Sequence, residues 1–253
     1  MELAWPDRST AFQYAFGLKG EPLAKCVVLL HKDRLSELEM FLPTAEPFKG
    51  RWYGLRTEDR RLAFIPVPQG ASDVCDCLLH LAAFPPSRII FTGTCGSLVP
   101  RIEIGDVCYI TEGWLVSGGI QDCLDRPLQM VNGADFIKAA DATLLPIFIE
   151  QQLKERFDLK LQSAKVFSIP FQALESPAVI AAMRDLGVEV VDMESTVFLA
   201  ITKRLKIPAC CYLWCTDIPA SASYYEQVNK PVLEIRQKRW EGWPEIVVRV
   251  ADV

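Results

Sequence analysis

Seven short runs rich in β-branched and aromatic residues are spread along the chain, at positions 26–30, 62–67, 88–92, 106–111, 164–169, 188–191 and 209–214. Several are apolar at consecutive positions, the pattern of a strand covered on both faces rather than one with a solvent face. Between them run helical patterns, clearest at 73–83, 134–156, 177–186 and 194–205, where Val197, Phe198, Ile201 and Leu205 recur at helical spacing. Strands separated by helices predict an α/β fold of three layers, α-β-α, around a central mixed and largely parallel sheet. No repeat, low-complexity tract or Gly/Ser-rich linker interrupts the pattern, so residues 1–253 are expected to form a single domain, with 1–25 and 230–253 as flanking segments.

Charge and composition then exclude several classes of function. The 27 Lys and Arg are outnumbered by 32 Asp and Glu, and no basic cluster offers the patch that a phosphate backbone requires, so nucleic acid is not an expected partner. The apolar stretch 207–216 is far short of the ~20 residues that cross a bilayer, and residues 1–20 carry Glu2, Asp7 and Arg8 where a signal peptide is apolar. No membrane partner is expected and the reading is cytoplasmic. Nine cysteines, an odd number with no CxxC pair and only two histidines beside them, read as buried reduced thiols rather than metal ligands. His80 falls on the polar side of its helical pattern and is expected to be exposed, which leaves His31 as the candidate base and makes Ser-His-Asp chemistry a poor fit.

In open α/β sheets ligands gather at the carboxyl ends of strands, so the residues that follow each run carry the functional expectation. Gly93-Thr94-Cys95-Gly96-Ser97 follows 88–92; its glycines permit close backbone approach to a ligand, but they lack the GxGxxG order of a dinucleotide site, and a plain tight turn fits equally. Pro170-Phe171-Gln172 follows 164–169 and presents an aromatic ring, which core packing would also explain. Asp192-Met193-Glu194 joins a strand to a helix, where two carboxylates also suit the helix dipole. Asp217 follows the last apolar run; desolvation there would raise its pKa toward that of a general acid, and a helix cap or turn is the alternative.

Three blocks in this order carry a resemblance. Ile89-Ile90-Phe91-Thr92-Gly93-Thr94-Cys95-Gly96-Ser97-Leu98 runs into Ile104-Gly105-Asp106-Val107, then come Val190-Val191-Asp192-Met193-Glu194-Ser195 and Cys215-Thr216-Asp217. Together they resemble the nucleoside phosphorylase and nucleosidase superfamily, which includes purine nucleoside phosphorylase, uridine phosphorylase and methylthioadenosine/S-adenosylhomocysteine nucleosidase. The resemblance runs from about Cys26 to Pro219, and it implies a phosphorylase/hydrolase-like fold and cleavage of a nucleobase from C1' of ribose with transfer to phosphate or water. A homo-oligomer, a role in nucleoside salvage and a small-molecule nucleoside ligand are implied with it, without a bound cofactor.

By position, Asp217 resembles the acid that protonates or hydrogen-bonds a purine N7, and Glu194 resembles the carboxylate that accepts from the ribose hydroxyls, with Met193 under the sugar. Phe171 matches the base-stacking ring, and the Gln172 backbone would bond the base edge. The Gln and Arg pair of uridine phosphorylases is absent from Gln172-Ala173-Leu174-Glu175-Ser176, so a purine-type base is favoured. Where phosphorylases carry an early Gly-Asp-Pro loop and a second arginine ahead of the glycine block, this chain has His31-Lys32-Asp33-Arg34 and Phe91, so an arginine fork for phosphate is missing. Thr94 is retained, with Gly93, Gly70, Lys32 and Arg34 as candidates to hold inorganic phosphate as co-substrate. The hydrolytic branch uses a glutamate of the early loop to activate water, and Asp33 and Glu37 are the acids nearby. Phosphorolysis and hydrolysis therefore both stand as expectations. The alternative from another class is a nucleoside-binding or structural member of the superfamily that has lost turnover.

Overall fold

The computed structural model describes residues 7–31, 34–116, 120–138, 146–219 and 242–252. Ten strands form one sheet: β1 (Cys26–His31), β2 (Glu46–Lys49), β3 (Tyr53–Arg56), β4 (Leu62–Val67), β5 (Arg88–Ser97), β6 (Val107–Leu115), β7 (Asp135–Lys138), β8 (Leu161–Ser168), β9 (Val190–Asp192) and β10 (Ala209–Asp217). Their order is β10-β6-β8-β9-β5-β1-β4-β3-β2, with β7 paired to β6. The sheet is mixed, as expected. β1 lies parallel to β4 and β5, while β9 meets β5 antiparallel at Gly96 and Ser97.

One pairing lies beyond the sequence pattern. β10 runs parallel to β5 from Ala209 to Asp217 and antiparallel to β6 from Tyr212 to Trp214. The strands β5, β10, β6, β8 and β9 thus close on themselves, and β1, β4, β3 and β2 extend from that ring. Closure removes the open edges that β5 and β10 would otherwise present.

The helices among the described residues are α1 (Arg8–Phe16), α2 (Leu35–Phe41), α3 (Ala71–Leu81), α4 (Ile120–Asp125), α5 (Pro127–Asn132), α6 (Pro146–Phe157), α7 (Pro177–Asp185), α8 (Ser195–Leu205) and α9 (Trp243–Asp252). One core joins α1, α3 and α8 to a face of the sheet through Phe12, Phe16, Val74, Leu78 and Phe198. A second joins Leu35 and Leu38 of α2, Leu153 of α6 and Ile246, Val247 and Val250 of α9 to Val28, Leu30, Tyr212 and Trp214. A third packs α5 and α7 on Phe167 and Val191.

Local chemistry sets the helix ends. Asp7 caps α1 by accepting from the Ser9 amide at 3.0 Å. Gly17 ends it at φ +71, where a Cβ would lie 2.2 Å from the Lys49 carbonyl, so only glycine fits. Ser176 and Pro177 start α7, with the Ser176 hydroxyl accepting from the Val179 amide.

Three expectations change. The run that was to end at Thr92 continues as β5 through the glycine block to Ser97, because β10 hydrogen-bonds along one side of it and β9 takes up the other at its end. The helical pattern at 134–156 splits: Asp135–Lys138 is β7, paired to β6 with Phe136 5.5 Å from Trp114, and α6 covers only Pro146–Phe157. Pairing overrides periodicity there. His80 is buried rather than exposed, since α3 packs against both α1 and α8, and its Nδ1 lies 2.7 Å from the Asp76 carbonyl.

Candidate active site

The carboxyl ends of β1, β5, β9 and β10 converge on a cavity of about 630 Å³, closed by α2, the start of α8 and the turn Gln172–Leu174. His31, Arg34, Thr94, Gln172, Met193, Glu194 and Asp217 line it, so sequence-selected residues up to 186 positions apart share one wall. Gly93 lies beside it in β5, on smaller adjoining cavities that also take in Thr94. Phe171 sits at the head of the turn, half-buried against the third core, and Gln172 rather than its ring reaches the cavity. Lys32, Asp33 and most of 230–253 lie outside the described residues.

Asp217 is positioned by an irregularity. The β10–β5 register shifts between Cys215 and Asp217, which sets Asp217 opposite Gly96. Such a bulge re-aims the side chain that follows it. The Thr216 hydroxyl donates to Asp217 Oδ1 at 2.8 Å, and the carboxyl is buried.

Asp192 and Glu194 divide the work that their spacing left open. Asp192, buried at the end of β9, accepts from the Ser195 amide at 2.8 Å and from the Ser168 hydroxyl, so it holds the α8 N-terminus. Ser168 in turn accepts from the Thr196 amide at 3.0 Å. Burial nonetheless raises the Asp192 pKa above its ordinary value. Glu194 at the head of α8 lies on the cavity wall, where its Oε1 accepts from the Gly70 amide at 2.7 Å. Burial, followed by the charge of Asp192, pushes its carboxyl up to about 7. Gly70 holds φ +120 at the start of α3 and turns its amide toward Glu194, so it serves that carboxyl as a donor without lining the cavity itself.

Glu175 was not selected by sequence reasoning. It follows the Gln172–Leu174 turn, lines the cavity, and has its carboxyl raised to about 7 by burial and by the charge of Asp217. Its signal was a charged residue inside an otherwise uncharged strand-to-helix turn, 172–176.

Just ahead of α2, the Arg34 guanidinium pairs with Glu37 at 2.5 Å, and its Cζ lies 5.9 Å from the Trp243 ring centroid. Both Arg34 and Glu37 line the cavity. Phe91, at the place of the expected second arginine, is buried with its ring 5.4 Å from Phe198. Among the described residues no cluster of three or more His, Cys, Asp or Glu could hold a metal ion, and no helix is long and apolar enough to cross a membrane. None of the nine cysteines forms a disulfide, and burial pushes the Cys95 thiol well above its usual range.

An α/β ring with a pocket at its strand ends, bearing one acid on β10 and one at the α8 head, defines a class that the comparisons identify. Residues 65–238 match the Phosphorylase superfamily, and the chain belongs to that nucleoside phosphorylase and nucleosidase family. No curated protein sequence matches significantly. The fold is similar to futalosine hydrolase of Helicobacter pylori strain 26695, with TM-score 0.69, 13% identity and coverage of 91% of this chain and 98% of that one. It is also similar to the 5'-methylthioadenosine/S-adenosyl homocysteine nucleosidase of Campylobacter jejuni (TM-score 0.68, 17% identity, 89% and 97% covered) and to the P. knowlesi homologue of P. falciparum PNP (TM-score 0.62, 15% identity, 92% and 93% covered).

Proposed function

We propose that this protein cleaves the N-glycosidic bond of a purine-type nucleoside, with Asp217 as acid to the base and Glu194 holding the ribose. The observation that carries the reading is the placement of these two carboxyls on one cavity wall, Asp217 by the bulge in β10 and Glu194 by the Gly70 amide. Cleavage leaves the electron pair of the C1'–N bond on the base and an oxocarbenium-like sugar behind. A proton or hydrogen bond from Asp217 to the base takes up the first charge; Glu194, accepting from the ribose hydroxyls, steadies the second. Met193 packs beneath the sugar, and Gln172 borders the base with Phe171 behind it against the third core.

The acceptor is water or phosphate. Thr94, Arg34 and His31 border the place for it, and the ion pair of Arg34 with Glu37 puts a cation and a carboxylate side by side there. Two of the similar folds are a hydrolase and a nucleosidase, and the third is a PNP homologue, so both acceptors have precedents among them.

The test is chromatography of bases and sugars after incubation with adenosine, inosine, guanosine, methylthioadenosine and uridine, with and without phosphate. Purine release is expected; free ribose identifies water as acceptor and ribose phosphate identifies phosphate. Asp217→Asn should lower kcat about 10²–10⁴-fold while substrate still binds. An unchanged rate overturns the assignment of the acid, and binding without release by the native protein overturns turnover itself.

A further inference from the structure

We propose that Glu175 selects the nucleobase, accepting a hydrogen bond from an amino group carried on the base edge beside Asp217. The inference rests on the reading of Asp217 as the residue that meets the base. Glu175 and Asp217 come from different elements, the turn after β8 and the end of β10, yet line the same cavity and feel each other's charge. Asp217 meets the base with its own hydrogen, so the ligand must bring one to Glu175. An ionised carboxylate has acceptors alone and is left unpaired by a ring carbonyl, whereas an exocyclic amine satisfies it. Discrimination is strongest where a buried polar group loses its partner with the wrong substrate. The ligand class is therefore a 6-aminopurine nucleoside in preference to its 6-oxo counterpart.

The carboxyl of Glu175 is held up near 7 by burial and by Asp217. Below that pH it is protonated and can donate to a 6-oxo group; above it, it can only accept. The preference for the amino over the oxo base should accordingly rise with pH. Other charged or titratable groups share the cavity: His31, Arg34 and Glu37 at its α2 side, Asp192 and Glu194 at the α8 side, and Asp217 itself. Glu194 also titrates near 7. It meets the sugar, which adenosine and inosine have in common, so its effect cancels in their ratio.

The experiment is the ratio of kcat/KM for adenosine to that for inosine, measured from pH 6 to pH 8 in the native protein and in Glu175→Gln. One carboxyl with its midpoint near 7, ionised for the amino base and protonated for the oxo base, should raise the native ratio about a hundredfold across that range, while the glutamine variant, which keeps the shape without the titration, gives a flat ratio. A native ratio independent of pH, or one that rises equally in the variant, overturns the inference even though bases are still released. If the native protein releases no base from either nucleoside, the functional reading fails instead. Equilibrium binding of free adenine and hypoxanthine to native protein over the same pH range gives the readout without the variant: adenine binding that strengthens relative to hypoxanthine supports the inference, and a constant ratio overturns it.

Discussion

Glu194 is desolvated beside Asp192, and both stability and turnover should respond to pH through it. Its folded carboxyl sits near 7 against an ordinary value of 4.5, so the native state holds its proton more tightly than the unfolded chain does. The stability this contributes is complete below about 4.5 and is lost as pH rises to about 7, after which it changes no further. Glutamine at 194 keeps an acceptor for Gly70 but removes that slope. The Tm of Glu194→Gln relative to native should be higher at pH 8 than at pH 5 by about 2 kcal/mol equivalent, roughly 4–8 °C for a chain of this size; thermal melts at the two pH values check this, and a pH-independent gap contradicts it. Native kcat/KM should rise with pH through the same range, because only the ionised carboxyl accepts from both ribose hydroxyls. At this scale the sequence was partly legible. Acids at a strand-to-helix junction are visible as letters, but only coordinates divide Asp192, which takes the Ser195 amide, from Glu194, which faces the cavity. Glu175 escaped because its partner in charge, Asp217, lies 42 positions away.

The elements that carry the site were legible where burial on both faces made their composition unmistakable. The run 62–67 coincides with β4, and 209–214 is the body of β10. The four-residue strands β2, β3 and β7 were missed or misassigned because runs that short hold too few alternations to distinguish them from turns or helix. The glycine block shows a different failure: read as a loop, it is strand whose glycines serve neighbours rather than a turn. A Cβ on Gly96 would stand 2.5 Å from Pro219 Cγ and 3.1 Å from Asp217 Oδ2, while one on Gly93 would meet only the side chains of Phe91 and Leu213 at 3.1 and 3.2 Å. Gly96→Ala should therefore displace Pro219 and Asp217, costing about 1–3 kcal/mol of stability and at least about tenfold in kcat, whereas Gly93→Ala should cost less of both. Comparing Tm and kcat of the two variants checks the ordering; equal losses would detach Asp217 from the Gly96 contact.

Across the whole molecule, the least legible feature is how distant segments meet. Pairing of β10 with both β5 and β6 closes the ring, yet nothing within 209–217 names two partners. The last helix raises the same difficulty: it lies past Pro219, where the resemblance ends, and α9 nonetheless covers the face of the sheet opposite α3 and α8. Its first residue joins core to site. Trp243 is buried, packs edge-on against Trp214 at 6.5 Å, and lies 5.9 Å from the Arg34 guanidinium, which also pairs with Glu37. Trp243→Ala removes an aromatic anchor from the second core, a loss of about 3–5 kcal/mol from a total that is typically about 5–15, and Tm should fall by roughly 10 °C. The same change takes the ring from beneath Arg34 and leaves the guanidinium less fixed at the cavity wall. Turnover should then drop by more than the loss of folded protein explains, when activity is measured well below the new Tm. Trp243→Phe, which keeps an apolar ring, should recover most of the stability and part of the rate. A variant that melts early yet turns over at the native rate would show that α9 supports the core alone and that Arg34 keeps its place without it.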